Sequence, residues 1–211
     1  MSFSNPVAAF ENMVMLREAL DSRGVRIFLN FGTLLGAIRE GDFIPHDHDV
    51  DMGIFESDLD QFLGALPELA QRGLELRDTW PNKRCYSLQR AGEQIDVFTT
   101  RRQSSLFGHR WNLDGKVSLS GAHLDSLDSI GFRGEVFSVP HDPAGVLLHL
   151  YGKTWRIPID GKVSKIDFSS RLVSALRSPF KTLRYLPTFV GNRIKWALAA
   201  RRSGSITEKR R

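Results

Sequence analysis

The spacing of apolar positions predicts a chain in which helices and strands interleave. Val7, Phe10, Val14 and Leu20 recur with the period of an amphipathic helix, and Gly24 follows as a break. Short runs rich in β-branched and aromatic residues, set between polar turns, are typical of strands. Predicted helices cover residues 6–22, 34–39, 57–72 and 143–151, and predicted strands cover 25–31, 44–55, 74–78, 85–90, 94–98 and 135–139. This irregular alternation favours a mixed α/β or α+β domain.

Two helix starts carry their own signals. Ser57 is expected to cap the helix over 57–72, and Asp142, followed by Pro143, is expected to cap the last helix. Residues 99–134 are rich in Gly, Ser and Asp and show too little periodicity for strands to be assigned there.

The length and composition suit one folded domain with an appendage. The chain has 211 residues, of which 41% are hydrophobic, and its single cysteine, Cys85, excludes a disulfide framework. No apolar run reaches membrane-spanning length, and the N-terminal sequence lacks the basic segment and apolar core of a secretion signal. We therefore expect a cytoplasmic protein with one domain over residues 1–168 and an appendage over 169–211.

Positive charge is concentrated in that appendage. Residues 171–211 hold eleven of the 29 Lys and Arg residues but one of the 24 acidic residues, so the body of the chain is net acidic and is not expected to bind nucleic acid. Apolar and aromatic residues alternate with the cations over 171–202. This pattern fits either peripheral contact with an anionic membrane, on its inner face, or helices packed on the domain. Residues 203–211 are expected to be disordered.

The most informative local pattern is His-Asp-His-Asp-Val-Asp at residues 46–51, where Asp47, Asp49 and Asp51 occupy alternate positions. On a strand, alternate side chains share one face, and neighbouring carboxylates there repel one another. Mg²⁺ or Mn²⁺ would remove that penalty, because these cations take oxygen ligands. An exposed acidic turn is the alternative, but the run leads directly into the apolar segment 52–55.

Two further features point to phosphate chemistry. Gly32 and Thr33 lie between a predicted strand and a predicted helix, where backbone N–H groups can approach phosphate oxygens. Asp96 stands between apolar Ile95 and Val97, as expected of a carboxylate on a central strand. Together with the aspartates of 47–51, these residues predict a site that handles a diphosphate through a divalent metal.

Several blocks of sequence together resemble a known family. They are Phe31-Gly32-Thr33-Leu34-Leu35-Gly36-Ala37-Ile38-Arg39, Gly41-Asp42-Phe43-Ile44-Pro45, Asp47-His48-Asp49-Val50-Asp51, Phe137-Ser138-Val139-Pro140 and Leu150-Tyr151-Gly152-Lys153-Thr154-Trp155. The chain resembles the LicD/fukutin family over residues from about 25 to 160. That resemblance implies the nucleotidyltransferase fold of polymerase β and its relatives, a mixed sheet flanked by helices.

The resemblance also implies an activity. Family members move a phosphopolyol or phosphocholine-like group from a CDP-linked donor to a glycan or lipid-linked glycan of the cell surface. By this resemblance Asp49 and Asp51 would hold Mg²⁺ or Mn²⁺, Asp96 would be the third carboxylate, and Asp47 is an optional further ligand. Arg39 is a candidate contact for the donor diphosphate together with Gly32 and Thr33, although a solvated charge at a helix end is an equally open interpretation.

Other functions remain open from the sequence. One is a nucleotidyltransferase that adds a nucleoside monophosphate to a small molecule or protein, and another is a catalytically inactive binding module of the same fold. A zinc hydrolase is excluded by spacing, because Val50 and Asp51 stand where such a motif, starting at His46, needs Asp and His. His48 departs from the family's more usual acidic run. On a strand His46 and His48 would point away from the aspartates, so they are predicted to be bystanders.

Overall fold

The computed structural model describes residues 3–106 and 108–158. Its helices are α1 (Pro6–Asp21), α2 (Phe31–Arg39), α3 (Leu59–Gln71) and α4 (Pro143–Tyr151). Its strands are β1 (Ile27–Leu29), β2 (Asp49–Phe55), β3 (Glu75–Trp80), β4 (Cys85–Arg90), β5 (Glu93–Ser105), β6 (Gly108–Asn112), β7 (Ser118–Ser120), β8 (Leu127–Phe132) and β9 (Glu135–Pro140). The mixed α/β fold class predicted from the sequence is confirmed.

The strands form a seven-stranded sheet and a separate hairpin of β8 and β9. The main path of the sheet runs β1-β2-β5-β4-β3, and β6 and β7 extend it from the distal half of β5. Strands β2 and β5 pair in parallel, whereas β1, β4 and β3 run antiparallel to their neighbours. The central parallel pair therefore brings together two chain segments that lie far apart in sequence.

The two faces of the sheet differ in chemistry because successive side chains of a strand point to opposite faces. On one face Val50 and Met52 of β2 stand beside Ile95 and Val97 of β5, and all four are fully buried. Helices α1 and α3 contact each other and the sheet, and their apolar side chains belong to the same core. The opposite face of β2 carries the intervening residues, which include two of the aspartates.

Several predicted boundaries are wrong: α2 begins at Phe31, not at 34, so Gly32 and Thr33 lie inside the helix, and β3 and β5 run on to Trp80 and Ser105. Three further differences have a clear local reason. The first strand ends at Leu29 rather than at residue 31, because Asn30 caps α2 and accepts a hydrogen bond from the Phe31 amide. The acidic strand begins at Asp49 rather than at residue 44, because the chain turns just before it. Ser57 does not cap α3, since the 3₁₀ turn Glu56–Asp58 precedes that helix.

The predicted cap of the last helix is confirmed. The Asp142 carboxylate accepts a hydrogen bond of 2.8 Å from the Gly145 amide, and Pro143 opens α4. Residues 99–134, which the sequence left unassigned, contain the distal half of β5 together with β6, β7 and β8. These strands carry polar residues on partly solvated faces, so hydrophobic alternation is weak there.

The predicted basic appendage lies outside the described residues. The boundary at residue 168, the disordered end and the membrane contact over 171–202 therefore stay predictions. Across residues 3–106 and 108–158, the helices are all too short or too polar to cross a bilayer.

A close approach between β1 and β2 gives a first prediction. A Cβ at Gly53 would overlap the ring of Phe28, which is fully buried. We expect Gly53→Ala to lower the free energy of unfolding by about 1–3 kcal/mol, because the ring cannot move without displacing core neighbours. Urea unfolding followed by circular dichroism measures this.

The matched control is Gly64→Ala in the middle of α3, where an added Cβ meets nothing within 4 Å. There the same substitution should raise stability by about 0.5–1 kcal/mol through helix propensity. Equal responses of the two variants would contradict the packing described between β1 and β2.

Candidate active site

Three carboxylates come together on the face of the central parallel pair that lies opposite the hydrophobic core. Asp51 of β2 stands directly beside Asp96 of β5, and Asp49 lies two residues before Asp51 and therefore on the same face. Carboxylate oxygens of the three residues lie within 4.8 Å of one another. We call Asp49, Asp51 and Asp96 the acidic triad.

The N-terminus of α2 is attached to Asp51 through both backbone and side chain. The Gly32 amide donates a 3.0 Å hydrogen bond to Asp51 Oδ2, and the Asp51 amide donates a 2.8 Å hydrogen bond to the Thr33 hydroxyl. The Asn30 amide donates to the Asp51 carbonyl at 3.1 Å. The two residues predicted to approach phosphate therefore lie against the acidic triad, at the positive end of a helix.

Glycine at position 32 permits this close approach. A Cβ there would lie 2.7 Å from Asp47 Oδ2 and 3.3 Å from Asp51 Oδ2. Any side chain would therefore push Asp47 away or separate α2 from β2. The preceding residue, Phe31, has a φ of 38°, which is unusual for a residue with a side chain. The backbone at the start of α2 thus adopts a strained turn directly beside the carboxylates.

Asp47 lies close to the acidic triad, but it is not on the strand where the sequence pattern predicted it. It lies in the turn before β2 and not on the strand, so strict alternation does not place it. Its carbonyl accepts a hydrogen bond from the Phe3 amide at 2.8 Å. Ligand atoms of Asp47, His48 and Asp49 form a second group within 4.8 Å. His48 is exposed and lies on this turn, so the strand argument that made it a bystander does not apply.

Burial and mutual repulsion shape the electrostatics of the site. Burial, followed by the charges of Asp49 and Asp47, raises the pKa of Asp51 well above its ordinary value, although the Gly32 amide opposes the shift. Burial and the charge of Asp49 raise the pKa of Asp47 to about 6. Burial also raises the pKa of Asp96, against hydrogen bonds from Ser87 and Gln94.

The acidic triad and Asp47 fit a divalent cation. Among the described residues, none of the four carboxylates makes an ion pair with Lys, Arg or His. Partly buried carboxylates without a compensating cation are unfavourable, and a hard metal ion would supply the charge with the oxygen ligands it prefers.

Arg39 lies at the opposite end of α2 from Gly32. Its side chain is only 13% exposed, its Nε donates to Glu40 at 2.6 Å, and its Nη1 donates to the Trp155 carbonyl at 3.2 Å. These contacts tie α2 to the segment after α4. The interpretation of Arg39 as a solvated charge at a helix end is therefore wrong. The contact of Arg39 with the donor diphosphate stays a prediction.

Sequence reasoning did not single out three polar residues near the triad. Ser87 and Gln94 donate hydrogen bonds that hold Asp96, with Gln94 Nε2 at 2.9 Å. Tyr151, on α4 against α2, has a pKa raised above its ordinary value by burial and by the charges of Asp51 and Asp47, so it remains a neutral phenol. Only Tyr151 had a sequence signal, since it belongs to the Tyr-Gly block near the end of the domain.

The family model described as LicD/FKTN/FKRP, nucleotidyltransferase domain, matches residues 24–142. The chain belongs to this family. It is 27% identical to human ribitol-5-phosphate transferase FKTN over 161 residues, which cover 72% of this chain and 34% of that protein. Human ribitol 5-phosphate transferase FKRP is 55% identical over 40 residues, covering 19% of this chain and 8% of FKRP.

A Rickettsia typhi protein of uncharacterized function is 28% identical over 110 residues, covering 52% of this chain and 34% of that protein. The chain thus spans about a third or less of the length of these curated relatives.

The LicD-family chain also resembles a solved structure at the level of the fold. The solution structure of the antibiotic-resistance factor ANT(2'')-Ia superposes with a TM-score of 0.52 at 11% identity, covering 97% of both chains. The nucleotidyltransferase-like fold expected from the sequence is confirmed.

The raised pKa of Asp47 generates a prediction about metal and pH. Because this pKa is higher in the folded than in the unfolded chain, protonation stabilises the fold, and metal-free stability should fall as pH rises through about 6. Mg²⁺ competes with those protons, so it should raise the melting temperature more at about pH 7.5 than at about pH 5. Differential scanning fluorimetry at both pH values measures the shift.

The control for this measurement is Asp51→Asn, which should abolish most of the Mg²⁺ shift and raise the metal-free melting temperature at neutral pH by relieving repulsion. A Mg²⁺ shift that is the same at both pH values, or that persists in Asp51→Asn, would contradict metal binding by these carboxylates.

Proposed function

We propose that this LicD-family protein is a metal-dependent phosphotransferase, which moves a phosphopolyol or phosphocholine-like group from a CDP-activated donor to a hydroxyl of a cell-surface glycan. The observation that carries the proposal is the acidic triad held against the N-terminus of α2. The names of FKTN and FKRP as ribitol-phosphate transferases support the choice of reaction.

Each part of the site has a task in this reaction. Asp49, Asp51 and Asp96 would hold Mg²⁺ or Mn²⁺, which when bound neutralises the diphosphate and stabilises the leaving group. Gly32 lies at the N-terminus of α2, where the helix dipole favours a phosphoryl oxygen, while its own amide holds the Asp51 carboxylate in place. The Thr33 hydroxyl supports this arrangement by accepting the Asp51 amide.

The proposed transfer is balanced without a further co-reactant. The acceptor hydroxyl oxygen bonds to the β-phosphorus of the donor, and the bond from that phosphorus to the bridging oxygen breaks. CMP leaves with the electron pair, and the glycan gains a phosphodiester. The proton of the acceptor passes to water, with Asp96, as a ligand that would hold the metal, positioned beside the incoming hydroxyl.

A donor screen tests the proposal. Purified protein is incubated with CDP-ribitol, CDP-glycerol or CDP-choline, with and without Mg²⁺, and CMP is quantified by chromatography. We expect metal-dependent CMP release from one donor, either to water or to added glycan. Asp49→Asn and Asp51→Asn should each lower the rate by about a thousandfold or more, since each removes a ligand worth several kcal/mol to the transition state.

The matched control is Asp60→Asn, an exposed carboxylate on α3 that should leave the rate unchanged. Pyrophosphate release from CTP or another nucleoside triphosphate would instead indicate a nucleotidyltransferase. Failure of Mg²⁺ and CDP to bind at all, measured by calorimetry, would favour an inactive binding module.

A further inference from the structure

An irregularity in the edge strand β3 redirects its side chains. Leu76 pairs with Leu88 of β4, but the next paired residue is Asp78, opposite Ser87, so Arg77 is an extra residue on β3. Such a bulge reverses which face the following residues occupy. Without it, Asp78 and Trp80 would share the core face with Leu76.

Because of this bulge, a row of polar residues crosses four strands. Asp51 stands beside Asp96, Asp96 beside Ser87, and Ser87 beside Asp78. Side chains of directly paired residues point to the same face, and the hydrogen bond between Ser87 and Asp96 agrees with this. Asp78 therefore lies on the acidic-triad face, two strands or about 10 Å from Asp96.

Trp80 follows on the same face. Trp80 pairs with Cys85 of β4, and Cys85 pairs with Phe98 of β5. Phe98 is two residues after Asp96 and shares its face of the sheet. The indole Nε1 of Trp80 donates a 2.7 Å hydrogen bond to Asp78 Oδ2, which fixes the orientation of the ring. Within the described part of the chain, Trp80 is not among the side chains that pack on the hydrophobic core. A partly exposed tryptophan is thus placed beside the site without contributing to the core.

A lysine side chain lies over the ring of Trp80. Lys83, in the short turn Pro81–Lys83 between β3 and β4, holds its Nζ 4.7 Å from the centre of the Trp80 ring. Burial raises the pKa of Asp96, and the charge of Lys83 opposes that rise. We call Trp80 and Lys83 the edge platform. It combines an oriented aromatic surface with a cation at the border of the acidic triad.

We propose that the edge platform binds a sugar ring of the glycan acceptor. This assignment rests on the proposed function of the site. The donor diphosphate is assigned to the Gly32 side of the triad, beyond β2. The edge platform lies on the other side of Asp96, beyond β4, where the acceptor hydroxyl must approach. The C–H face of a sugar ring packs on an indole surface, and an ammonium group donates to sugar hydroxyl or phosphate oxygens.

The position argues against the nucleotide as the occupant. The phosphates would lie at the metal on the α2 side of the triad, and this arrangement leaves the β3–β4 side for a second substrate. Asp78 adds a negative charge on that side, which opposes binding of a second anionic diphosphate but not of sugar hydroxyls. The edge platform is therefore assigned to the acceptor.

Ligand-observed NMR on the full chain tests this assignment. The probes are the methyl glycosides of glucose, galactose and N-acetylglucosamine and the corresponding sugar 6-phosphates. Trp80→Ala should weaken binding of the sugar that the wild-type protein prefers by about tenfold or more, and Trp80→Phe should retain most of it. Lys83→Gln should weaken the 6-phosphate more than the neutral glycoside, whereas Lys116→Gln, at an exposed lysine of another turn, should change neither.

Titration with Mg²⁺ and CDP separates the two proposals. The edge-platform variants should bind CDP with unchanged affinity and melt at the wild-type temperature, which excludes unfolding. Sugar binding that is absent from the wild-type protein, or equal in Trp80→Ala, overturns the assignment, as does a loss of CDP affinity in that variant. Absence of CDP binding to the wild-type protein would instead refute the proposed function while leaving the sugar measurement interpretable.

Discussion

The acidic triad is held together against its own repulsion, and the surrounding structure is arranged to make this possible. Asp49, Asp51 and Asp96 lie on two parallel strands whose opposite face is fully buried, so register cannot slip without exposing the core. Amide and hydroxyl groups donate to Asp51 and Asp96, but the described residues place no cation in contact with them. The fold thus supplies position without a compensating charge among the described residues, which is the arrangement that the proposed metal ion would complete.

Much of this arrangement could be predicted from the sequence where it depends on local spacing. Alternation placed Asp49 and Asp51 on one face, since both lie on β2, and apolar neighbours identified Asp96 as a strand residue. Alternation failed for Asp47, which lies in a turn that folds back to within reach of Gly32. The predicted fold class and family are confirmed, while the roles of the site residues stay proposals.

The remainder depends on long-range pairing, which a single sequence does not reveal. No local sequence pattern predicts that residue 51 pairs with residue 96, or that β3 pairs with β4 through a bulge. Trp80 lay beyond the predicted strand 74–78, and only the register across three pairs of strands places it beside the triad. Strands could not be predicted within residues 99–134 for a related reason, because half-solvated antiparallel strands show little hydrophobic periodicity.

Asp51 is anchored at three separate atoms, since its amide, its carbonyl and its carboxylate each bond to the segment that begins α2. This half of the site therefore loses little conformational entropy when a ligand arrives, because the order was imposed during folding. The turn between β3 and β4 has no such anchoring to the carboxylates. Under the proposed assignments, substitutions in the turn would change the acceptor while the donor side stays the same, which is a route to new specificities within one scaffold.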